Sequence, residues 1–436
     1  MNKGQMLYQK AKGIIPSGTQ LFSKRPELHC PSLWPPYYRK AKGCEVWDID
    51  GNKYIDMSYM GFGSCALGYA DNDVDKAVKE AIDSGSMSTL NCPEEVELAE
   101  LLCELHSWAE MVRYARTGGE AMAIVVRIAR AKTGKDIVAF CGYSGWHDWY
   151  LAANLGKTHA LDGHLMKGLE PLGVPRCLRG TALPFHYNKI DELKTIVSKH
   201  SNEIGAIVLE PVRNQEPRDN FLEEVREIAT MLKVPLIFDE ITSGWRENIG
   251  GIHLLYGVTP DIAIFAKAMS NGYPMAAIIG RADVMESAQD SFISSTYWSE
   301  KIGTVAALAT IKKYKRYDIP KYLAEIGERV RYNWAVMAAV HELKTSISGI
   351  LPLLHLHFGY ADSQAVRTLF TQGMLSKGFL ATDAFYASYA HKNKHLVAYF
   401  KALDETFAFI AKAIKKGNVA ELLKGGIAQS GFQRLA

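Results

Sequence analysis

Five short stretches of the chain are apolar throughout rather than alternating: "DIVAFCG" (136–142), "IGAIVLEPV" (204–212), "VPLIFDE" (234–240), "DIAIFAK" (261–267) and "MAAIIG" (275–280). A strand that shows one face to water alternates apolar with polar, so continuous runs of this length predict strands covered on both faces. Between them lie stretches with helical spacing, such as "NFLEEVREIATMLK" (220–233), which supply the crossovers of a parallel α/β sheet. Upstream, "PEEVELAELLCELH" (93–106) places Pro93 and a cluster of acids in the first turn of a helix. "EVWDIDGNKYIDM" (45–57) sets strand-type residues on both sides of Asp50-Gly51 and predicts a small antiparallel hairpin. "TVAALATIKKYKRY" (304–317) and "YLAEIGERVRYNWAVMAAV" (322–340) predict long helices leading into a C-terminal α+β region. The expected organisation is an N-terminal segment 1–65 that joins the smaller domain, a large α/β domain 66–320, and a C-terminal small domain 321–436.

Composition narrows the function classes. The chain has 436 residues, 48% of them hydrophobic, enough for a large core. Fifty Lys and Arg against 47 Asp and Glu give a net charge of +3, too balanced for an electrostatic footprint on nucleic acid or an acidic membrane. Seven cysteines form no CxxC pair and leave an odd count, which favours a reducing compartment over a disulfide framework or a zinc knuckle. No apolar h-region opens the chain and no run is long enough to span a bilayer, so a cytoplasmic location is expected.

Candidate chemistry concentrates where apolar runs end. Ligands of open α/β sheets collect at the carboxyl ends of strands, and Glu210, Asp239 and Lys267 each close one of the runs. A lysine partly desolvated at such a place has a lowered pKa and attacks carbonyls as a neutral amine. A nearby carboxylate invites a cationic nitrogen. Pyridoxal phosphate meets both demands, through its aldehyde and its protonated pyridine nitrogen. A lysine simply paired to an aspartate near the surface remains the alternative on these two residues alone. Thr117-Gly118-Gly119 precedes a helix and offers backbone N–H groups to a phosphate. Tyr143, in "GYSGWHD" after "DIVAFC", offers an aromatic face to a planar ring.

Together "FDEITSGWR", "DIAIFAKAMSNGYPMAAIIG", the TGGEA turn and "GYSGWHD" resemble class III pyridoxal-phosphate aminotransferases of fold type I, in the branch similar to glutamate-1-semialdehyde aminomutase. The similarity extends from "GIIPSGTQ" to "ASYAHKNKHLVAYFKALDETFAFI", nearly the whole chain. It implies a mainly parallel seven-stranded sheet flanked by helices, with a smaller α+β domain built from the two termini. It also implies that Lys267 forms the Schiff base with the cofactor and moves the proton, that Asp239 pairs with the pyridine nitrogen, and that Ile241 packs on the ring opposite Tyr143. Gly118 and Gly119 would hold the phosphate. Thr296, in "SSTYWSEKIG", would reach the phosphate of the neighbouring subunit, making a homodimer with shared active sites. Glu210 and Gln215 or Asn214 would line the cofactor's hydroxyl side.

Departures from the family pattern carry information. Glycine stands at 119 where relatives usually have Ser or Thr, with Thr117 as the candidate replacement for the lost hydroxyl. Lys24, with Arg25 beside it, stands where the aminomutase carries an arginine for the substrate carboxylate, and the two cations are not equivalent. "GTQLFSKRP" and "SSTYWSEKIG" resemble instead a sub-branch making amino sugars or amino sugar acids. The favoured reaction is therefore transfer from a donor such as L-glutamate to a keto sugar or sugar acid of the 8-oxo-3-deoxyoctulosonate type, in lipopolysaccharide amino-sugar synthesis. The alternatives are an intramolecular aminomutase and a non-catalytic cofactor-binding protein. Lys24, Arg25, Tyr37, Trp146, His147 and Glu300 are the substrate candidates, and the stretch from 151 to 182 is the candidate mobile lid.

Weaker signals have plainer explanations. "GFGSCALG" (61–68) has the wrong spacing for a dinucleotide fingerprint and is expected to be a loop. "DIDGN" opens like a calcium loop, but Tyr59 stands at position 12, and the hairpin explains it. His355 and His357 lack carboxylate support and are expected to be structural rather than metal ligands. His391 and His395, expected on one helix, receive no role.

Overall fold

The computed structural model describes residues 2–164 and 166–432. Two compact units divide the chain, one made of residues 72–320 and the other of 1–71 together with 321–436. The expected limit at 65 thus falls six residues short. Residues 66–71 stay with the terminal unit because Tyr69 exchanges backbone hydrogen bonds with Gly43 and its hydroxyl donates to the Asp56 carboxylate, while Tyr389 donates to the Ala66 carbonyl.

The unit 72–320 is built on seven strands: β1 (Met111–Ala115), β2 (Ile137–Cys141), β3 (Ala182–Pro184), β4 (Ile204–Leu209), β5 (Leu236–Asp239), β6 (Ile262–Phe265) and β7 (Ala276–Gly280). Their order across the sheet is β1-β7-β6-β5-β4-β2-β3. Every pair from β6 to β3 is parallel, whereas β7 runs antiparallel to both β6 and β1. "MAAIIG" is therefore a buried strand, as its apolar run predicts, but it turns back against the parallel set. Its run follows Lys267 after only a short turn (267–270), and a parallel return needs a crossover of a dozen residues or more.

All residues of β2, β4, β5, β6 and β7 are buried. Period-two alternation sorts them into two cores. Val138, Phe140, Ala206, Val208, Ile237 and Ile264 face one cluster, whose other half is helix α1 (Gly118–Thr133). Ile137, Ala139, Ile207, Leu209, Leu236 and Phe238 face the second, filled by Phe221, Val225 and Ala229 of the helix Phe221–Leu232. With roughly 1.5–3 kcal/mol per fully buried large apolar side chain, these two layers hold the strand ends in fixed positions.

The terminal unit carries two small sheets. Tyr38–Lys42, Glu45–Asp48 and Lys53–Asp56 form an antiparallel meander, to which Phe379–Leu380 adds a parallel strand. The predicted hairpin is present, and its turn is closed by Asp48 Oδ1, which accepts from the N–H groups of Asp50 and Asn52. Thr345–Ser348, Leu353–Phe358 and Ala384–Tyr386 form the second sheet. His357 Nε2 lies 2.8 Å from Ser348 Oγ there. His391 precedes the helix Asn393–Lys416 rather than lying on it, and its imidazole N–H donates to the Asp56 carbonyl at 2.8 Å. Among the described residues no group of three or more potential metal ligands gathers, and no helix is long and apolar enough to cross a membrane. Among the described residues no cysteine is joined in a disulfide.

Candidate active site

Parallel pairing of β4, β5 and β6 brings their carboxyl ends to one edge, with Asp239 opposite Ile264 in register. Glu210 immediately follows β4, Asp239 ends β5, and Lys267 begins the turn after β6. Lys267 has a φ of 47°, in the left-handed region that non-glycine residues seldom occupy. Such strain persists only where surrounding structure enforces it, and it gathers at functional sites. The Lys267 Nζ donates to Thr242 Oγ1 at 2.7 Å. Burial, followed by the field of the Arg213 guanidinium, lowers its pKa from 10.5 to about 8. A substantial neutral fraction therefore exists in mildly alkaline solution, the form that attacks a carbonyl.

Asp239 is its electrostatic counterpart. Its Oδ1 accepts the Ile241 N–H at 3.1 Å, and among the described residues it makes no ion pair. Burial, reinforced by the Glu210 carboxylate, raises its pKa from 3.8 to about 7. A buried carboxylate in this condition gains most from a cation that arrives with a ligand. Glu210 is already committed: it pairs with Arg213 Nη1 at 3.0 Å and accepts the Tyr143 N–H at 3.1 Å. That second bond ties the Tyr143 backbone to the strand edge, and the Tyr143 ring packs edge-on against Tyr150, with centroids 5.8 Å apart.

The start of α1 is kept bare by its own capping. Thr117 Oγ1 accepts the Glu120 N–H at 3.3 Å and donates to Glu120 Oε2 at 3.1 Å, while the Thr117 N–H donates to the same carboxylate at 2.9 Å. This capping box engages the Thr117 hydroxyl on both sides, so it is not the replacement expected for a missing hydroxyl at 119. The first helical N–H to reach a helix carbonyl belongs to Ala121, bonded to Thr117 O. Those of Gly118 and Gly119 come before it and remain for an anion. A Cβ on Gly118 would stand 2.7 Å from Ile241 Cδ1, so the glycine lets Ile241 close against the helix start. The residues present thus fit pyridoxal phosphate: a bare helix start for its phosphate, Tyr143 and Ile241 for its ring, Asp239 for its nitrogen and Lys267 for its aldehyde.

Other expected residues lie elsewhere. Gln215 and Asn214 are exposed, and the side chain of "VRNQ" that enters the cluster is Arg213, which sequence reasoning passed over. Thr242 was missed as well, although it directly follows Ile241. Thr296 is exposed at the start of the short turn Thr296–Ser299. Glu300 caps the helix Lys301–Tyr317 through the N–H groups of Ile302 and Gly303 and pairs with Arg116 at 3.0 Å, so both its oxygens are engaged. Trp146 is 71% exposed and stacks on His147. In the terminal unit Lys24 is exposed and Tyr37 half-buried, whereas Arg25 is buried with its guanidinium over the Phe22 ring.

The described part of the stretch expected as a lid makes hydrogen bonds and core contacts within the domain. Asn154 donates to the Leu169 carbonyl at 2.6 Å and accepts the Leu161 N–H, Leu161 and Val174 are buried in the core, and His164 Nδ1 accepts the Gly142 N–H. Leu165 lies outside the described residues.

Sheet order, strand-end lysine and bare helix start define a fold type I pyridoxal-phosphate-dependent transaminase. The chain belongs to the class III aminotransferases: the family model described as "Aminotransferase class-III" matches residues 32–350. It is 31% identical to the 3-aminobutyryl-CoA aminotransferase of Cloacimonas acidaminovorans (strain Evry), over 94% of this chain and 98% of that one. It is 28% identical to a glutamate-1-semialdehyde 2,1-aminomutase of Caldicellulosiruptor saccharolyticus, over 95% and 99% of the two chains. Among solved structures, the internal aldimine form of the FumI protein from Sphingopyxis sp. MTA144 superposes with a TM-score of 0.86 at 21% identity, over 97% of this chain and 99% of that one.

Proposed function

We propose that this transaminase moves an amino group from L-glutamate to a keto sugar or sugar acid of the 8-oxo-3-deoxyoctulosonate type, with Lys267 and Asp239 as its catalytic pair. The observation that carries the catalytic part is geometric: Asp239 and Lys267 close adjacent parallel strands at one sheet edge, Lys267 with a φ of 47° and its Nζ on Thr242 Oγ1, and burial lowers the pKa of the amine while it raises that of the carboxyl. Environments that push an amine down and an acid up mark residues set for chemistry rather than for stability.

Bound pyridoxal phosphate supplies an electron sink conjugated to the carbon–nitrogen bond that is rearranged. The chain supplies the rest. Lys267 Nζ, when neutral, would take the proton from the donor's Cα and deliver it to C4′ of the cofactor, and would carry a proton the opposite way for the acceptor. Thr242 Oγ1 gives that amine a fixed resting place, 2.7 Å away. Asp239 would keep the pyridine nitrogen protonated, and the N–H groups of Gly118 and Gly119 would hold the phosphate. The exposed Thr296 fits a homodimer in which this threonine completes the phosphate site of the other subunit.

The preference for a sugar-type acceptor rests on the likeness of "GTQLFSKRP" and "SSTYWSEKIG" to amino-sugar-forming relatives. An aminomutase is the second reading, favoured by the near full-length relative of that activity. Incubation of the cofactor-loaded protein with L-glutamate alone separates the two. A transaminase releases 2-oxoglutarate and then aminates a keto sugar acid. If the protein instead isomerises glutamate 1-semialdehyde and leaves glutamate untouched, the transamination reading is wrong.

A further inference from the structure

Residue 119 is a glycine in the first turn of α1, and the volume its side chain would fill is already taken. A Cβ built there would stand 2.9 Å from Cε1 and 3.1 Å from Nδ1 of His147. The imidazole therefore lies across the helix start, in the place where a side chain at 119 would project. The Trp146 indole stacks on it, with ring centroids 4.4 Å apart and planes 28° from parallel, and the indole Nε1 also borders the notch, 3.7 Å from the built Cβ. Trp146 is itself largely exposed.

His147 Nδ1 is buried and has no hydrogen-bond partner among the described residues. Unpaired buried polar atoms are uncommon and mark a missing partner. Burial lowers the His147 pKa below its usual 6.5, with Glu120 and Asp148 opposing weakly, so the ring is neutral at neutral pH and carries one N–H. The Thr117 hydroxyl, which caps the same helix start, is engaged by Glu120 on both sides. The same helix start carries the N–H groups of Gly118 and Gly119, which precede the first intrahelical bond.

We propose that His147 is a ligand of the cofactor phosphate: its Nδ1–H, delivered from the loop after β2 into the notch of Gly119, supplies the side-chain donor that the helix start lacks. This rests on the reading of the Lys267 site as a pyridoxal-phosphate site. It moves His147 from the substrate side, where sequence reasoning put it, to the phosphate end. Trp146 is then a positioning residue, and Gly119 is required because any side chain would displace the ring.

The test compares pyridoxal phosphate with pyridoxal, which lacks the phosphate. Dissociation constants of both are measured for cofactor-free wild type, His147→Phe, His147→Asn and the double variant His147→Ala/Gly119→Ser. Phe keeps the ring and its stack on Trp146, Asn keeps a donor near Nδ1, and the double variant moves a hydroxyl into the vacated notch. Loss of one hydrogen bond to a charged group predicts about 10- to 100-fold weaker pyridoxal phosphate binding by His147→Phe. Pyridoxal binding stays within about twofold, and the ³¹P resonance of the bound cofactor shifts. Recovery of most of the affinity by His147→Asn or the double variant supports the assignment. Equal effects on pyridoxal phosphate and pyridoxal, or unchanged affinity in His147→Phe with its thermal unfolding intact, overturn it. If the wild type binds neither compound, the reading of the site itself falls, and the assignment with it.

Discussion

Asp239→Asn removes a charge that the cofactor-free protein holds under strain, so it should stabilise that form while weakening cofactor binding. Burial and the Glu210 carboxylate push the Asp239 carboxyl from 3.8 up to about 7. At ~1.4 kcal/mol per unit, the ionised form is destabilised by at most about 4 kcal/mol. The folded chain keeps its proton between those two values while the unfolded chain has released it. Stability contributed by this group therefore falls as pH rises from about 4 to about 7, and the full cost stands above that. Asn accepts the same Ile241 N–H, but its buried amide protons lack partners, at a cost of about 1–3 kcal/mol. The net gain expected at pH 8 is about 1–3 kcal/mol, turning into a loss of up to about 3 kcal/mol at pH 4, where the wild-type carboxyl is already neutral and only the amide cost remains. Lys267, lowered to about 8, acts in the opposite direction between about 8 and 10.5, outside this window. Urea unfolding of cofactor-free wild type and Asp239→Asn at both pH values reads the difference. Asp239→Asn should also bind pyridoxal phosphate more weakly, because the amide cannot neutralise the pyridine cation. A gain equal at pH 4 and pH 8, or no gain at pH 8, would refute the placement of an ionised, unpaired carboxylate at the end of β5.

Two further outcomes follow from the same edge of the sheet. Thr242→Val deletes the acceptor of the Lys267 amine, whereas Thr242→Ser keeps it. Stopped-flow absorbance should show the glutamate half-reaction slowed about tenfold in the first, as for loss of one hydrogen bond at the reacting group, and nearly unchanged in the second. Glu240 is fully buried and accepts from His253 Nδ1, the Ile252 and His253 N–H groups and Ser243 Oγ, while His253 Nε2 accepts from Trp108. Glu240→Ala should cost roughly 3–5 kcal/mol in thermal or urea unfolding, because it strands several buried donors at once. Unchanged stability would show that this network does not hold the turn after Asp239.

Legibility followed the physics of burial. β2, β4, β5, β6 and β7 were readable because strands covered on both faces must be apolar at every position. The two strands left unread, β1 with "MVRYA" and the three-residue β3, are the sheet's edges, where half-burial and short length blur the signal. The reversed direction of β7 was not legible, since an apolar run carries no direction. Lys267 and Asp239 stood out because a charge that closes a buried run has few structural reasons to be there. Arg213, Thr242 and the seating of His147 against Gly119 depend on paths of turns and loops that periodicity does not encode. Glu300, by contrast, looked available in the sequence only because its helix cap and its Arg116 partner lie out of sight there.

Borohydride reduction of the protein loaded with pyridoxal phosphate, followed by mass mapping of its peptides, tests the central claim most directly. The account predicts one cofactor per chain, fixed on the Nζ of Lys267, with no attachment and no release of 2-oxoglutarate from glutamate in Lys267→Ala. Attachment at another lysine, or transamination that persists in Lys267→Ala, would contradict it.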